Sequence, residues 1–275
     1  MCGRYAATAN PDDLVEEFEI DQERLGEPVR SLLAAPQVPP AGAPDFNMAP
    51  TKAAPVVLAR RPRGQDDAPP ARQLRLMSWG LVPSWAKDVK VGLKMINARA
   101  ETVLDKFAKP ALSRRCLVPA QGWYEWQPSP TALDAKGRPR RQPFFVHRAD
   151  GATMGMAGLY EFWRDPAVRD ADDPDAWVVS FTVITTDAEP GLDRIHDRQP
   201  LVLEPQAWAQ WLDPDEQDPD VVRRHLAFAQ PGRFDAYPVS SAVNSSRNNG
   251  PQLLAPADRA DLAGVVDPTT GEVLR

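Results

Sequence analysis

Short runs in which β-branched and aromatic residues prevail, each closed by Pro, Gly, Asp or Asn, recur along the chain. They predict strands over Val56–Ala59, Gln73–Trp79, Arg115–Val118, Phe144–His147, Met154–Phe162, Trp177–Thr185 and Leu201–Leu203. Helical signals are fewer. Asn10-Pro11-Asp12-Asp13 supplies an N-cap, a first-turn proline and first-turn acids for a helix to about Ile20. Helix formers from Ala98 to Lys109 stop at Pro110, Glu204-Pro205 opens a helix bearing Trp208 and Trp211, and Asp218 to Ala229 is a fourth candidate. Many strands with a few interspersed helices indicate an α+β fold that is largely β, a strongly bent sheet or barrel with peripheral helices.

Thirty prolines cluster between these segments. Residues 36–44, 61–72, 127–143 and 164–176 are rich in Pro and polar residues and read as surface loops. No internal repeat or interdomain linker is visible, so one domain over residues 1–255 with a tail over 256–275 is expected.

Composition narrows the function. A length of 275 residues suffices for one substantial core. No apolar run is long enough to span a bilayer, and Met1-Cys2-Gly3-Arg4-Tyr5 lacks the apolar stretch of a secretory signal, so a cytoplasmic protein with no membrane partner is expected, nucleoid-associated in a bacterium. Two cysteines, Cys2 and Cys116, and three histidines provide neither a disulfide framework nor metal-ligand spacing, so neither a metal nor another cofactor is expected. A net charge of −6 argues against general coating of DNA. Yet residues 86–126 carry eight Lys/Arg against four Asp/Glu, and residues 161–177 two against six, so a local basic cleft on an acidic body fits the pattern.

The candidate chemistry starts at Cys2. Loss of Met1 would leave an α-amine and a thiol on one residue, both with ordinary pKa values close enough to neutrality to act as nucleophiles. Such a 1,2-aminothiol condenses with an aldehyde to an imine, and the thiol closes a five-membered thiazolidine. Glu125, within Gly122-Trp123-Tyr124-Glu125-Trp126, is flanked by aromatic residues whose desolvation would raise its pKa and suit it to proton transfer, although it also reads as an outward strand residue. His196 lies in a polar turn between Arg194 and Arg198, whose charges would favour the neutral base. Asn97 and Arg99 lie where a strand or loop meets a helix, and Asn97 also reads as a helix cap. Trp79, Trp85, Trp123 and Trp126 offer aromatic faces for base stacking or for the core.

Taken in order, Met1 to Tyr5, Phe46 to Thr51, Trp79 to Trp85, Asn97 to Thr102, Arg115 to Ala120, Gly122 to Trp126, Phe181 to Thr186 and Ile195 to Pro200, with a late Val243-Asn244, resemble the SRAP (SOS response-associated peptidase) family over roughly residues 1–255. The resemblance implies a compact SRAP-like fold with a positively charged cleft. It implies a monomer that binds single-stranded DNA and crosslinks abasic sites, shielding the lesion in the DNA damage response, with self-cleavage of Met1 compatible with the family name. Cys2 matches the crosslinking nucleophile, with Asn97, Glu125 and His196 as its catalytic companions, and Arg4, Trp85 and Arg99 match positions that bind DNA. Gln199 and Trp123 depart from the usual methionine and phenylalanine, and the Pro-rich inserts near 21–45 and 127–143 exceed a minimal member. Two other N-terminal-cysteine chemistries stay open on the residues alone. In a glutamine amidotransferase the thiol attacks an amide with the amine as base, and a cysteine peptidase would pair Cys2 with His196.

Overall fold

The computed structural model describes residues 2–32, 36–62, 64–65, 67–170, 173, 176–227 and 231–274. Met1, whose removal the N-terminal chemistry needs, the expected end of the fourth helix at Ala229, and parts of the 61–72 and 164–176 segments lie outside these residues.

In chain order the elements are β1 (Tyr5–Ala7), α1 (Pro11–Glu17), β2 (Gln22–Arg24), β3 (Asp45–Met48), β4 (Ala53–Arg60), β5 (Ala71–Trp79) and β6 (Asn97–Arg99). Two short helices, α2 (Val103–Lys106) and α3 (Ala108–Ser113), lead into β7 (Arg115–Ala120), β8 (Gly122–Leu133), β9 (Pro139–Arg148), β10 (Met154–Arg164) and β11 (Trp177–Asp187). The chain then forms β12 (Arg198–Pro200), β13 (Val202–Leu203), α4 (Pro205–Leu212), α5 (Pro219–Leu226) and β14 (Phe234–Pro238). Every strand expected from the sequence forms, as do the helices opened by Asn10 and Glu204; Asn10 accepts a hydrogen bond from the Asp12 amide at 3.0 Å.

One sheet runs β14-β9-β8-β1-β3. The second runs β12-β11-β10-β7-β4-β5-β2, and a parallel pairing of β11 with β5 (Phe181 opposite Trp79) closes β5-β4-β7-β10-β11 into a ring. Closure removes sheet edges that would otherwise need covering. The largest apolar cluster lies between the two sheets. It joins Tyr5 and Trp123 of the first to Trp79, Met156 and Phe181 of the second, with Trp79 edge-on to Tyr5 and stacked on Phe181. A second cluster packs α1, α4 and α5 on the outer face of the ring, where Trp208 stacks on Phe18 at 4.3 Å. The fold is therefore mostly β with peripheral helices.

Two local expectations are corrected. The stretch from Ala98 to Lys109 is not one helix ending at Pro110. Asn97–Arg99 instead adds a parallel strand to β11 (Asn97 opposite Val183), and strand pairing outweighs the helix propensity of Ala98 and Arg99. Helix resumes as α2 and α3 on either side of Phe107, and Pro110 sits in the first turn of α3, where its missing N–H leaves no bond unmade. The segment 127–143 is not a loop but the paired end of a β8–β9 hairpin, with Gln127 opposite Gln142 and Leu133 opposite Pro139. Three of its prolines, Pro128, Pro130 and Pro139, take exposed positions around a register shift, where strands tolerate a residue without an N–H, while Pro143 is buried opposite Trp126.

Candidate active site

The N-terminal residues enter between the two sheets. β1 pairs with β8, placing Tyr5 opposite Trp123, and this brings Cys2 to the core between β6 and β8. Gly122 opens β8 with no side chain because a Cβ there would lie 2.5 Å from the Val146 carbonyl oxygen. From there β8 alternates strictly. Trp123, Glu125 and Gln127 share the face toward the large core, while Tyr124 packs with Phe145 in a smaller cluster on the other.

Cys2 is fully buried, and the Asn97 side-chain amide donates to its carbonyl oxygen at 2.7 Å. Strand alternation in β6 puts Ala98 into the core and leaves Asn97 and Arg99 on one face. The Asn97 Oδ1 is buried without a hydrogen-bond partner among the described residues, an acceptor held beside the Cys2 backbone. The Cys2 thiol is pushed well above its usual range by burial first and by the nearby Glu125 carboxyl second. Cys116 is also buried, as packing within the large core.

Glu125 is 4% exposed, and burial pushes its carboxyl up to about 7. It lines a cavity of about 550 Å³ together with Trp126, Arg141, His196 and Asn244. His196 is reached by a different route. A 3₁₀ turn over Leu192–Arg194, anchored in the core by Leu192 and Ile195, carries the ring to the cavity just before β12. The His196 Nδ1 accepts the Arg198 amide at 3.0 Å, and the Asp197 carboxylate lies 2.7 Å from the same nitrogen. Burial lowers the His196 pKa, so the ring is neutral near pH 7, and neutral Nδ1 is the acceptor of the amide; Asp197 is exposed to water and weak as an ion partner. The lowering has the expected direction but a different main cause. Burial comes first, and Arg141 and Arg198 add smaller contributions, whereas the Arg194 guanidinium turns away to the Pro268 and Thr269 carbonyls.

Cys2, Asn97, Glu125 and His196 are thus brought together from four separate segments. The three residues expected to touch DNA fare differently. Arg99 is exposed, and makes no hydrogen bond or ion pair among the described residues. Trp85 stands 69% exposed on the loop after Val82, away from the cavity lining, with exposed Lys87, Lys90 and Lys94 following it in the chain. Arg4 spends its guanidinium inside the protein. It donates to Asn47 Oδ1 at 2.7 Å and to the Val243 carbonyl at 2.9 Å, and lies 6.0 Å from the Trp126 ring centroid. Trp126 in turn donates to Asn244 Oδ1 at 2.6 Å, so Arg4 shapes one wall of the cavity. Of the four tryptophans, Trp79 and Trp123 are core, Trp126 is a wall and Trp85 is free to stack.

Sequence reasoning missed Arg141. It is exposed, makes no hydrogen bond among the described residues, lines the cavity and acts on the charge of His196. Reading 127–143 as a loop hid it, because only pairing with β8 brings Arg141, opposite Pro128, beside Glu125.

Residues 1–246 match the family described as SOS response associated peptidase (SRAP). The abasic site processing protein YoqW of Bacillus subtilis (strain 168) is 36% identical over 258 residues, spanning 92% of this chain and 99% of its own. The mouse (Mus musculus) abasic site processing protein HMCES is 31% identical over 290 residues, spanning 94% of this chain and 76% of its own. An X-ray structure of a Bacteroides thetaiotaomicron protein superimposes with a TM-score of 0.68 at 20% identity, covering 93% of this chain and all of that one. A phage-related protein of Bordetella bronchiseptica gives a TM-score of 0.58 at 29% identity over 86% of this chain and 94% of its own.

Proposed function

The chain belongs to the SOS response associated peptidase family, and we propose that it captures abasic sites in single-stranded DNA as a thiazolidine on Cys2 after Met1 is removed. The observation that carries the reading is the Asn97–Cys2 bond of 2.7 Å beside a carboxyl poised at about 7 and a neutral histidine. Relatives named as abasic site processing proteins supply the substrate class.

The chemistry follows from the ionisation states. His196 assists opening of the deoxyribose hemiacetal by moving the anomeric hydroxyl proton toward the ring oxygen, which exposes the C1′ aldehyde. With Nδ1 committed to the Arg198 amide, this exchange falls to Nε2. The neutral Cys2 amine adds to the aldehyde carbon. Protonated Glu125 gives its proton to the carbinolamine oxygen, water leaves and the protonated imine forms, its nitrogen keeping one hydrogen. The Cys2 sulfur then bonds to the imine carbon as the Glu125 carboxylate takes the S–H proton. The C=N π electrons pass to nitrogen, which keeps the hydrogen it already carried. One water is lost overall, and no oxidant or cofactor is consumed. Asn97 holds the Cys2 backbone so that amine and thiol meet one carbon, a gain of proximity. The raised thiol pKa supports this order of events and weighs against a cysteine peptidase, whose nucleophile needs a lowered one.

Arg99 and Arg141, both exposed, are assigned to flanking phosphates, and Trp85 to a base. A single-stranded oligonucleotide titrated at several salt concentrations tests this. Arg99→Ala should weaken binding and reduce the slope of log K against log salt by about 0.7, one phosphate contact on a single strand. An unchanged slope would remove Arg99 from the interface. The reaction itself is tested by a heat-stable adduct on abasic DNA, with ammonia release from glutamine as the outcome that favours an amidotransferase instead.

A further inference from the structure

Gln127 follows Glu125 on the same face of β8 and is 1% exposed. Its amide is fully used. Nε2 donates to the Arg194 carbonyl at 3.1 Å and to the Val266 carbonyl at 2.9 Å, and Oε1 accepts the Val266 amide at 2.8 Å. One buried side chain therefore ties together the strand that bears Glu125, the turn that precedes His196, and a segment near the C-terminus. Buried amides lacking such partners would be costly, so this junction holds all three segments in register.

The C-terminal segment is built to close on that turn. It folds back on itself through the Val266–Val273 bridge, and buries Leu262 and Val265 in the cluster that also holds Leu192 and Ile195. Arg194 Nη1 donates to the Pro268 and Thr269 carbonyls at 2.6 and 2.9 Å, gripping the hairpin from its other side. Two glycines permit the approach. Gly264 has φ of 80°, and a Cβ there would lie 2.8 Å from Ser129 Oγ; Gly191 has φ of 98°, with the Pro268 carbonyl oxygen 3.3 Å from where its Cβ would be. Ser129, two residues beyond Gln127, donates to the Gly264 carbonyl at 2.5 Å. The hairpin lies beyond the 1–246 segment matched to the family.

We infer that Gln127 is a positioning residue which, clamped by the hairpin over residues 262–274, fixes the His196 turn against the Glu125 strand. The inference rests on the proposed proton-transfer roles of Glu125 and His196. Among the described residues, the charged groups facing the His196 ring are Asp197 and Arg198 beside it in the chain, Glu125 from β8 and Arg141 from β9. Of these, burial and the cations hold its pKa down, so a turn released from β8 gains water and its histidine titrates higher.

The test replaces Gln127 by methionine, which keeps length but makes none of the three bonds, and follows the imidazole resonances of the three histidines by NMR. In folded Gln127→Met the His196 resonance should shift and its midpoint rise toward the ordinary value, while His225, on α5, stays unmoved. Adduct formation should slow by roughly 10- to 100-fold with DNA affinity unchanged, as expected for a misplaced catalytic group. Arg194→Ala, an exposed position, opens the clamp from its other side and should move the same resonance in the same direction even if Gln127→Met fails to fold. A His196 resonance and midpoint unchanged in either folded variant would overturn the inference. A wild-type rate in His196→Ala would instead overturn the assigned role of His196 and leave the hold of Gln127 on the turn to be read from the spectra.

Discussion

Replacing Cys2 by alanine is expected to abolish the heat-stable adduct with abasic DNA, by far the largest effect of any single substitution. After Met1 is lost the variant still has an α-amine, so it retains an imine that borohydride traps, but it has no sulfur to close the ring. Cys2→Ser should behave alike, with a trappable imine and no thiazolidine. The two variants separate the work of the amine from that of the thiol, which the geometry joins in one buried residue held by Asn97. Undiminished heat-stable adduct from Cys2→Ala would mean that another nucleophile makes the bond. Cys116 is a poor substitute, since it is buried in the core with its thiol pKa raised by desolvation.

Glu125→Gln should give the second-largest loss, about 10²- to 10⁴-fold in the rate of adduct formation, the usual range for a positioned acid–base group. Dehydration of the carbinolamine needs Glu125 protonated, and amine attack needs Cys2 unprotonated. The wild-type rate should therefore fall on the alkaline side as pH rises through about 7, and on the acid side as the amine is protonated. In Glu125→Gln the alkaline arm should vanish, because glutamine does not ionise. Stability should move the other way. The folded-state value of about 7 stands above the ordinary 4.5, so between those values the folded protein binds more protons than the unfolded chain, and stability falls as pH rises. The cost is absent below about 4.5 and complete above about 7, where it amounts to roughly 3 kcal/mol for a group this buried. Urea unfolding at pH 8 should thus find Glu125→Gln more stable than wild type, with the difference shrinking in acid. A variant that keeps its rate, or gains no stability at alkaline pH, contradicts this role for Glu125.

Much of the fold was legible because its strands announce themselves locally. Met154–Phe162 and Trp177–Thr185 are apolar, β-branched and bounded by turn residues, and they pair with each other in the ring. What was illegible depends on partners distant in sequence. Asn97–Arg99 looks helical alone and becomes a strand only because β11 offers a free edge. The proline-rich hairpin over 127–143 looks irregular until β8 and β9 are seen to pair, with Pro128, Pro130 and Pro139 on exposed positions.

The site divides the same way. Cys2, Asn97, Glu125 and His196 were named from the chain, but their meeting comes from tertiary pairing of β1, β6 and β8 and from the turn before β12. Arg4, expected at the DNA, also donates to Asn47 and to the Val243 and Asn244 carbonyls, contacts that no local signal announces. Arg141 and Gln127 carried no signal of their own. One matters through exposure beside the cavity, the other through three hydrogen bonds to segments 67 and 139 residues away.

The most direct measurement incubates the purified protein with a single-stranded oligonucleotide carrying one abasic site, followed by denaturing electrophoresis and intact-mass spectrometry. A heat-stable species is expected whose mass equals protein without Met1 plus oligonucleotide minus one water, with the bond mapping to Cys2. Absence of that species, from protein whose Met1 is verified as removed, would contradict capture of the abasic aldehyde by Cys2.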